Sequence, residues 1–133
     1  MRALGNEEIP IYGDGLNIRD WLFVEDHVTG LLKVLQEGRI GEKYCIGGNS
    51  EKTNNEVANI ICEILDNLKP TKNSYKTLIR RVNDRKGHDR RYAINAKKIK
   101  KDLDWEPSID FKEGINKTIK WYIKNYDWAK KLM

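Results

Sequence analysis

The stretch Ile9-Pro-Ile-Tyr-Gly-Asp-Gly-Leu-Asn-Ile18 places the tightest limit on what this chain can fold into. An apolar run ends in Gly13-Asp14-Gly15, where a dinucleotide fingerprint would put its first two glycines. The third glycine of that pattern falls on Ile18, and no clear helix opens there. A pyrophosphate needs the free N–H groups and positive end of a helix at that point. The stretch is therefore expected to be a strand and a tight turn, with glycines supplying positive φ. It is not the opening of a Rossmann fold.

Around that turn the hydrophobic spacing predicts short, mixed elements. A second strand is expected over residues 18–24. Val28, Leu31, Leu32 and Leu35 then follow the spacing of one buried helix face, closed by Gly38. Lys43-Tyr44-Cys45-Ile46 is expected as a buried strand ending in Gly47-Gly48. Thr53 or Asn54 can cap a strongly amphipathic helix with Glu56 in its first turn. Its apolar face is Val57, Ile60, Ile61, Ile64, Leu65 and Leu68, and Pro70 marks the stop. A further strand covers residues 78–82, and a short helix runs from Asn95-Ala96-Lys97 to about Asp104-Trp105. The last helix starts near Asp110 and gathers Phe111, Ile115, Ile119, Tyr122, Ile123 and Tyr126 on one face. A doubly wound sheet needs several consecutive βα units, which this order lacks, so the expected class is α+β. No Pro/Gly/Ser-rich linker divides residues 1–133, which are expected to form one domain. A chain of this size buries about two-thirds of its unfolded surface, enough for a single core.

No apolar run approaches the ~20 residues that cross a bilayer, and MRALGNEEIP lacks the apolar stretch of a signal peptide. A cytoplasmic location without a membrane partner is expected. In a reducing compartment Cys45 and Cys62 are expected to be buried free thiols. With only His27 and His88 in addition, there is no metal-ligand cluster at familiar spacing, and no metal site is expected.

Charge is unevenly placed. Residues 79–101 hold ten Lys or Arg against two Asp, a surplus of eight, which leaves the rest of the chain at −3 within a net charge of +5. Such a concentrated positive field calls for an anionic ligand. Its centre is Asp84-Arg85-Lys86-Gly87-His88-Asp89-Arg90-Arg91-Tyr92. Gly87 lets the backbone turn closely, and Arg85, Arg90 and Arg91 can offer forked donors to phosphate. The interleaved Asp84 and Asp89 can orient those guanidinium groups. From the residues alone a solvated cationic face, a small phosphorylated ligand and an RNA patch with stacking Tyr and Trp all stay open. Arg19-Asp20-Trp21 poses the same choice between a structural pair beside a buried tryptophan and a phosphate-binding Arg19. Tyr126 and Lys130 have the Tyr-x-x-x-Lys spacing of a dehydrogenase proton relay. A lysine-rich helix meets that spacing by chance, and no catalytic role is assigned to them.

Several stretches taken in order carry a resemblance. They are Pro10-Ile-Tyr-Gly-Asp-Gly15, Arg19-Asp-Trp-Leu-Phe-Val-Glu-Asp-His27, Ile46-Gly-Gly48, Asp84-Arg-Lys-Gly-His-Asp-Arg-Arg-Tyr-Ala-Ile94 and Asp104-Trp-Glu-Pro107. Together they resemble the carboxy-terminal portion of the dTDP-glucose 4,6-dehydratases, a family of extended short-chain dehydrogenase/reductases, over nearly the whole chain. Arg-Asp-Trp-Leu and Gly-His-Asp-Arg-Arg-Tyr favour this family over the related sugar-nucleotide epimerases. The resemblance implies a fragment, the small substrate-binding domain. The Rossmann domain, which in the family binds NAD and carries the catalytic residues, is absent, so no catalytic or cofactor-binding residue is expected here.

The implied partners are a dTDP-sugar, that Rossmann domain and, for the intact enzyme, a second copy in a homodimer. Pro10, Ile11 and Tyr12 would lie along the thymidine end and Arg19 would reach the diphosphate. Asn54 would hydrogen-bond near it, and Asp84, Arg85, Lys86, Gly87 and His88 would close the pocket, Arg85 as the second charge on the diphosphate. The intact enzyme would oxidise the sugar at C4 with NAD, eliminate water across C5–C6 and reduce C6, making a precursor of rhamnose and other deoxysugars. Three departures from the pattern stand out: Lys86 replaces a proline, Cys45 replaces an asparagine, and the chain stops at Met133, before a late tyrosine of some members. The competing readings are a related epimerase or dehydratase fragment, a small basic nucleic-acid module, and a domain whose exposed apolar patch docks on the Rossmann half.

Overall fold

The computed structural model describes residues 1–132. Its elements run β1 (Ile9–Tyr12), β2 (Ile18–Asp20), α1 (Val24–Glu37), β3 (Glu51–Thr53), α2 (Asn54–Leu68), β4 (Ile79–Val82), β5 (Arg91–Tyr92), α3 (Lys97–Leu103), α4 (Phe111–Lys124) and α5 (Tyr126–Lys130). Helices and two small sheets make an α+β chain, organised in two units whose segments interleave along the sequence.

One unit comprises Met1–Asn17, Thr53–Arg90 and the chain from Ile115 onward. Here β1 and β4 lie parallel, Ile9 opposite Ile79 and Tyr12 opposite Val82. Its core joins Ala3, Cys62, Leu65, Tyr75 and Ile119, with Ile9, Ile61, Ile79 and Ile123 packed around them. The centre of this core is α2, which starts where a capping box forms: Glu56 N donates to Thr53 Oγ1 at 3.2 Å, and Thr53 N to the Glu56 carboxylate at 2.7 Å. Tyr75 is buried with its polar groups satisfied, its N–H donating to Asp66 and its hydroxyl to the Lys69 carbonyl.

The other unit comprises Ile18–Lys52 and Arg91–Gly114. Its strands are ordered β3-β2-β5, with β2 and β5 parallel. Ala96, Ile99, Leu103 and Trp105 form its core, flanked by Leu22, Val34, Tyr44 and Ile46. Asp26 is only 3% exposed. Its carboxylate accepts from Ser108 N, Ser108 Oγ and Ile109 N at 2.7–3.0 Å, so the buried charge is well solvated by donors.

The structure corrects two expectations about this second unit. Helix α1 forms, but Val24, Val28, Leu31, Leu32 and Leu35 face outward; Leu31 is 54% and Leu35 81% exposed. The side that meets the unit's own core is lined by Asp26, Gly30 and Val34. Gly30 lets the helix come close there, because a Cβ would lie only 3.0–3.1 Å from Trp105 and Ile46 side-chain atoms. The segment 43–46 is not paired as a strand, and Cys45 is exposed rather than buried; only Cys62 is a buried thiol. Smaller shifts are that β2 stops at Asp20 and that α4 ends at Lys124, leaving Tyr126 on the separate α5.

Candidate functional site

The turn after β1 is built as its glycines predict. Gly13 and Gly15 have φ of +57° and +67°, Gly15 N donates to Tyr12 O, and Leu16 N donates to Asp14 Oδ1 at 2.9 Å. Both positions also need hydrogen for a side chain. A Cβ on Gly13 would lie 2.7 Å from Asp84 Oδ2, and one on Gly15 would lie 2.2 Å from Asn55 Oδ1. The turn thus brings the end of β1 against the basic loop after β4. At its mouth Tyr12 is 40% exposed, while the neighbouring Ile11 is buried.

Asp84 organises that loop. Its Oδ1 accepts from Arg85 N at 2.8 Å and from His88 Nδ1 at 2.7 Å. The bond from His88, then that from Arg85 N, holds the Asp84 carboxyl below the usual carboxylate range. The His88 side chain is 5% exposed, so this short link is shielded by the loop it closes. Gly87 turns the loop with φ +71° and open space around it. The far end is fastened by residues that sequence reasoning missed. Asp14 takes Arg90 Nη1 on both its oxygens at 2.8 Å, Asn55 Nδ2 donates to Asp14 O, and Asn17 Nδ2 donates to Asp89 O. The only available signal was the Asx residues around the turn. Asn17 is buried and its Oδ1 has no partner among the described residues, which leaves one acceptor for a ligand or a water.

These contacts sort the cations of the basic stretch. Arg80 pairs with Glu8, Arg90 with Asp14, and Arg91 makes a two-pronged contact to Glu51 at 2.6 and 2.7 Å. Arg91 depresses the Glu51 carboxyl by that contact, and the Leu16 N–H and Arg90 do the same to Asp14. Among the described residues no carboxylate pairs with Arg85 or Lys86. The Arg85 guanidinium stands 5.5 Å over the Tyr12 ring centroid. The Asn54 carboxamide, at the first position of α2, is half-buried and has no hydrogen-bond partner among the described residues. Pro10, Ile11, Tyr12, Asn54 and Asp84 to His88 therefore all belong to one unit.

Arg19 belongs to the other unit, on β2, where its Nη1 donates to the Ile18 carbonyl at 2.7 Å. Its neighbour Asp20 is a structural bolt, accepting from Gly48 N at 2.8 Å and Ser50 N at 2.7 Å. Gly47 and Gly48 make that approach possible, since a Cβ on Gly48 would lie 2.0 Å from the Trp21 carbonyl oxygen. Trp21 is half-buried, edge-on to Phe111. Lys130 Nζ lies 5.9 Å from the Tyr126 ring centroid.

The residues present do not fit a dinucleotide. The first N–H groups of α2 are taken: Asn54 N by Asn17 O, Asn55 N by Gly15 O and Glu56 N by Thr53 Oγ1. With Gly13 N donating to Val82 O as well, the turn and helix end leave no set of free donors for a pyrophosphate. Among the described residues no three His, Cys, Asp or Glu side chains are grouped to hold a metal ion, and no helix is long and apolar enough to cross a membrane.

An α+β chain whose glycine turn supports a cationic loop rather than a cofactor finds its class in the family comparison. Residues 1–118 match the model of the GDP-mannose 4,6 dehydratase family, and the chain belongs to that family. More particularly, it is 50% identical over 129 residues to a dTDP-glucose 4,6-dehydratase of Shigella flexneri, covering 97% of this chain and 36% of that protein. The dTDP-glucose 4,6-dehydratase of Bacillus anthracis, solved in complex with NAD, superposes with a TM-score of 0.86 at 50% identity, over 99% of this chain and 40% of that one. The Streptomyces venezuelae enzyme of the same name, solved with NAD and TYD bound, gives a TM-score of 0.86 at 38% identity, over 96% and 37%. The chain thus spans 36–40% of the length of these relatives.

Proposed function

We propose that the chain is the sugar-nucleotide-binding part of a dTDP-glucose 4,6-dehydratase, residues 1–133 acting as its small substrate domain. The observation that carries this reading is the sorting of the basic loop. Arg90 and Arg91 are spent on carboxylates, whereas Arg85 keeps its guanidinium for a ligand and holds it over Tyr12. An exposed aromatic ring beside an unpaired guanidinium suits a base joined to a diphosphate. The ring packs on the base, and the guanidinium forms a charge-assisted fork with the phosphates.

In this reading Pro10, Ile11 and Tyr12 serve the thymidine end, and Asn54 and Lys86 add polar contacts. Asp84, Gly87 and His88 hold the loop in shape. Arg19 keeps the role of diphosphate ligand that its motif suggests, tested separately by Arg19→Ala. The dinucleotide chemistry and the acid–base groups of the whole enzyme are assigned to a Rossmann domain outside these residues. The isolated chain is accordingly inactive, and the whole enzyme is a cytoplasmic homodimer.

The test is a titration of the purified chain with dTDP followed by residue-resolved NMR. Saturable binding with shifts at Tyr12, Asn54 and Arg85 is expected. Arg85→Ala should weaken it tenfold or more, since a hydrogen bond to a charged group contributes ~1.5–3 kcal/mol and 1.4 kcal/mol is about tenfold. Shifts absent from those residues would sink the site. So would tight oligonucleotide binding that dTDP does not displace and that falls steeply with salt. Turnover of dTDP-glucose by the chain alone would overturn the assignment of the chemistry elsewhere.

A further inference from the structure

The β1–β4 pair turns an apolar ledge outward beside the basic loop. The strands run parallel with Pro10 opposite Arg80 and Tyr12 opposite Val82, so these four residues share one face. Ile9, Ile11, Ile79 and Arg81 share the other. There Ile9 and Ile79 pack on the unit's core, Ile11 is buried, and Arg81 donates to the Gly13 carbonyl. On the outer face Arg80 is paired with Glu8, whereas Val82 is 37% exposed beside the Tyr12 ring and joins neither core cluster. The position is also rigid. Gly13 N donates to Val82 O at the strand end, and a β-branched side chain has few χ1 rotamers. Asp84 opens the basic loop two residues later, and Arg85 stands over Tyr12.

We infer that Val82 sets the choice of base: its methyls receive the ring methyl of thymine, so that the chain prefers thymine to uracil. This rests on the reading that Tyr12 packs on the base and Arg85 takes the diphosphate. A pyrimidine is wider than the roughly 4.8 Å between neighbouring strands, so one packed on Tyr12 extends over Val82 or over solvent. Only over Val82 does an apolar substituent leave water. Pro10 is the other apolar residue of the face, but it lies two residues back along β1, roughly 6.6 Å away. Val82 adjoins both Tyr12 and the loop that carries Arg85. Charge plays no part in the choice. The thymine and uracil nucleotides carry the same phosphates and the same hydrogen-bonding edge, and Arg85 meets both alike. The methyl alone differs, and burying one group of that size separates two ligands by about fourfold.

The test titrates the 133-residue chain with dTDP and with dUDP at one salt concentration. dTDP should bind about fourfold tighter, and a nuclear Overhauser contact should join the thymine methyl to the Val82 methyls. Val82→Ala should bring the ratio below about twofold. Val82→Ile, which supplies the missing bulk, should strengthen dUDP relative to dTDP. Arg85→Ala should weaken both nucleotides and leave their ratio as it was. A merely structural Val82 would move both affinities together. Each ratio is taken within one protein, so lost stability in a variant cancels, and the Overhauser contact needs no variant. A ratio unchanged in Val82→Ala, or a thymine-methyl contact to Pro10 in place of Val82, would overturn the inference. Equal binding of dTDP and dUDP would sink the role of Val82 and leave the ligand reading standing. Binding of neither nucleotide would sink the ligand reading, and the role of Val82 with it.

Discussion

Gly13→Ala tests the turn, the loop and the site together. Gly13 sits at φ +57°, where an alanine costs about 1–2 kcal/mol. Its new Cβ would meet Asp84 Oδ2 at 2.7 Å and Asp84 Cγ at 2.8 Å, so the carboxylate must move. Moving it breaks the bonds from His88 Nδ1 and Arg85 N. Because Asp84 is 46% exposed, solvent screens these bonds and their loss adds only modestly to the backbone cost. The total therefore exceeds the backbone cost of about 1–2 kcal/mol, which alone is roughly 5 °C in Tm for a domain of this size.

Gly87→Ala is the matched control. It shares a positive φ of +71° but has nothing within 4 Å, so it carries the backbone strain without the collision. Urea unfolding of both variants should find Gly13→Ala costlier than Gly87→Ala. In an Asp84→Ala background, which removes the two nearest atoms, Gly13→Ala should lose most of that excess. Equal costs for the two glycine variants, or an unchanged cost in the Asp84→Ala background, would refute the argument that Asp84 packs against the turn.

Three further outcomes follow from buried or tethered groups. Asp26→Ala leaves three donors of Ser108 and Ile109 without their acceptor and should cost about 3 kcal/mol or more in urea unfolding; a loss under 1 kcal/mol would contradict the role given to this carboxylate. Burial pushes the Cys62 thiol up to about 11, while Cys45 is exposed, so a thiol reagent should label Cys45 at once and Cys62 only on unfolding. Equal labelling rates would contradict that difference. The folded Asp84 carboxyl is held low by His88, so its contribution to stability is present at neutral pH and is lost as pH falls through the folded value, below the ordinary range near about 3.9. A carboxyl NMR titration should show His88→Ala raising the Asp84 midpoint; an unmoved midpoint would disprove the link.

Sequence made some elements legible and hid others for definite reasons. Helix α2 could be read because its cap, its apolar period and its stop are all local, from Thr53-x-x-Glu56 to Pro70. The Gly13–Gly15 turn could be read for the same reason. The existence of α1 was also readable, but not which way it faces. Periodicity reports an apolar side, and only the tertiary structure shows that Asp26, Gly30 and Val34 meet the core instead. Cys45 was misjudged because an apolar run does not say whether a neighbouring strand is there to cover it.

In the basic loop the surplus of charge was evident. Its sorting was not, because Arg90 finds Asp14 76 residues away and Arg91 finds Glu51 40 residues away. Such long-range pairs leave no trace in local composition. They decide which guanidinium remains for a ligand.

The interleaving of the two units orders their appearance during synthesis. The unit built around Trp105 has its last segment once Gly114 is made, since Asp26 must wait for Ser108 and Ile109 to shield its charge. The unit that holds Tyr12 and Arg85 starts first yet finishes last, because Ile119 is part of its core. At roughly 5–20 residues per second, the 82 residues between Asp26 and Ser108 take about 4–16 s to emerge. For that interval the nascent chain carries an Asp26 whose structural donors, Ser108 and Ile109, have not yet been made.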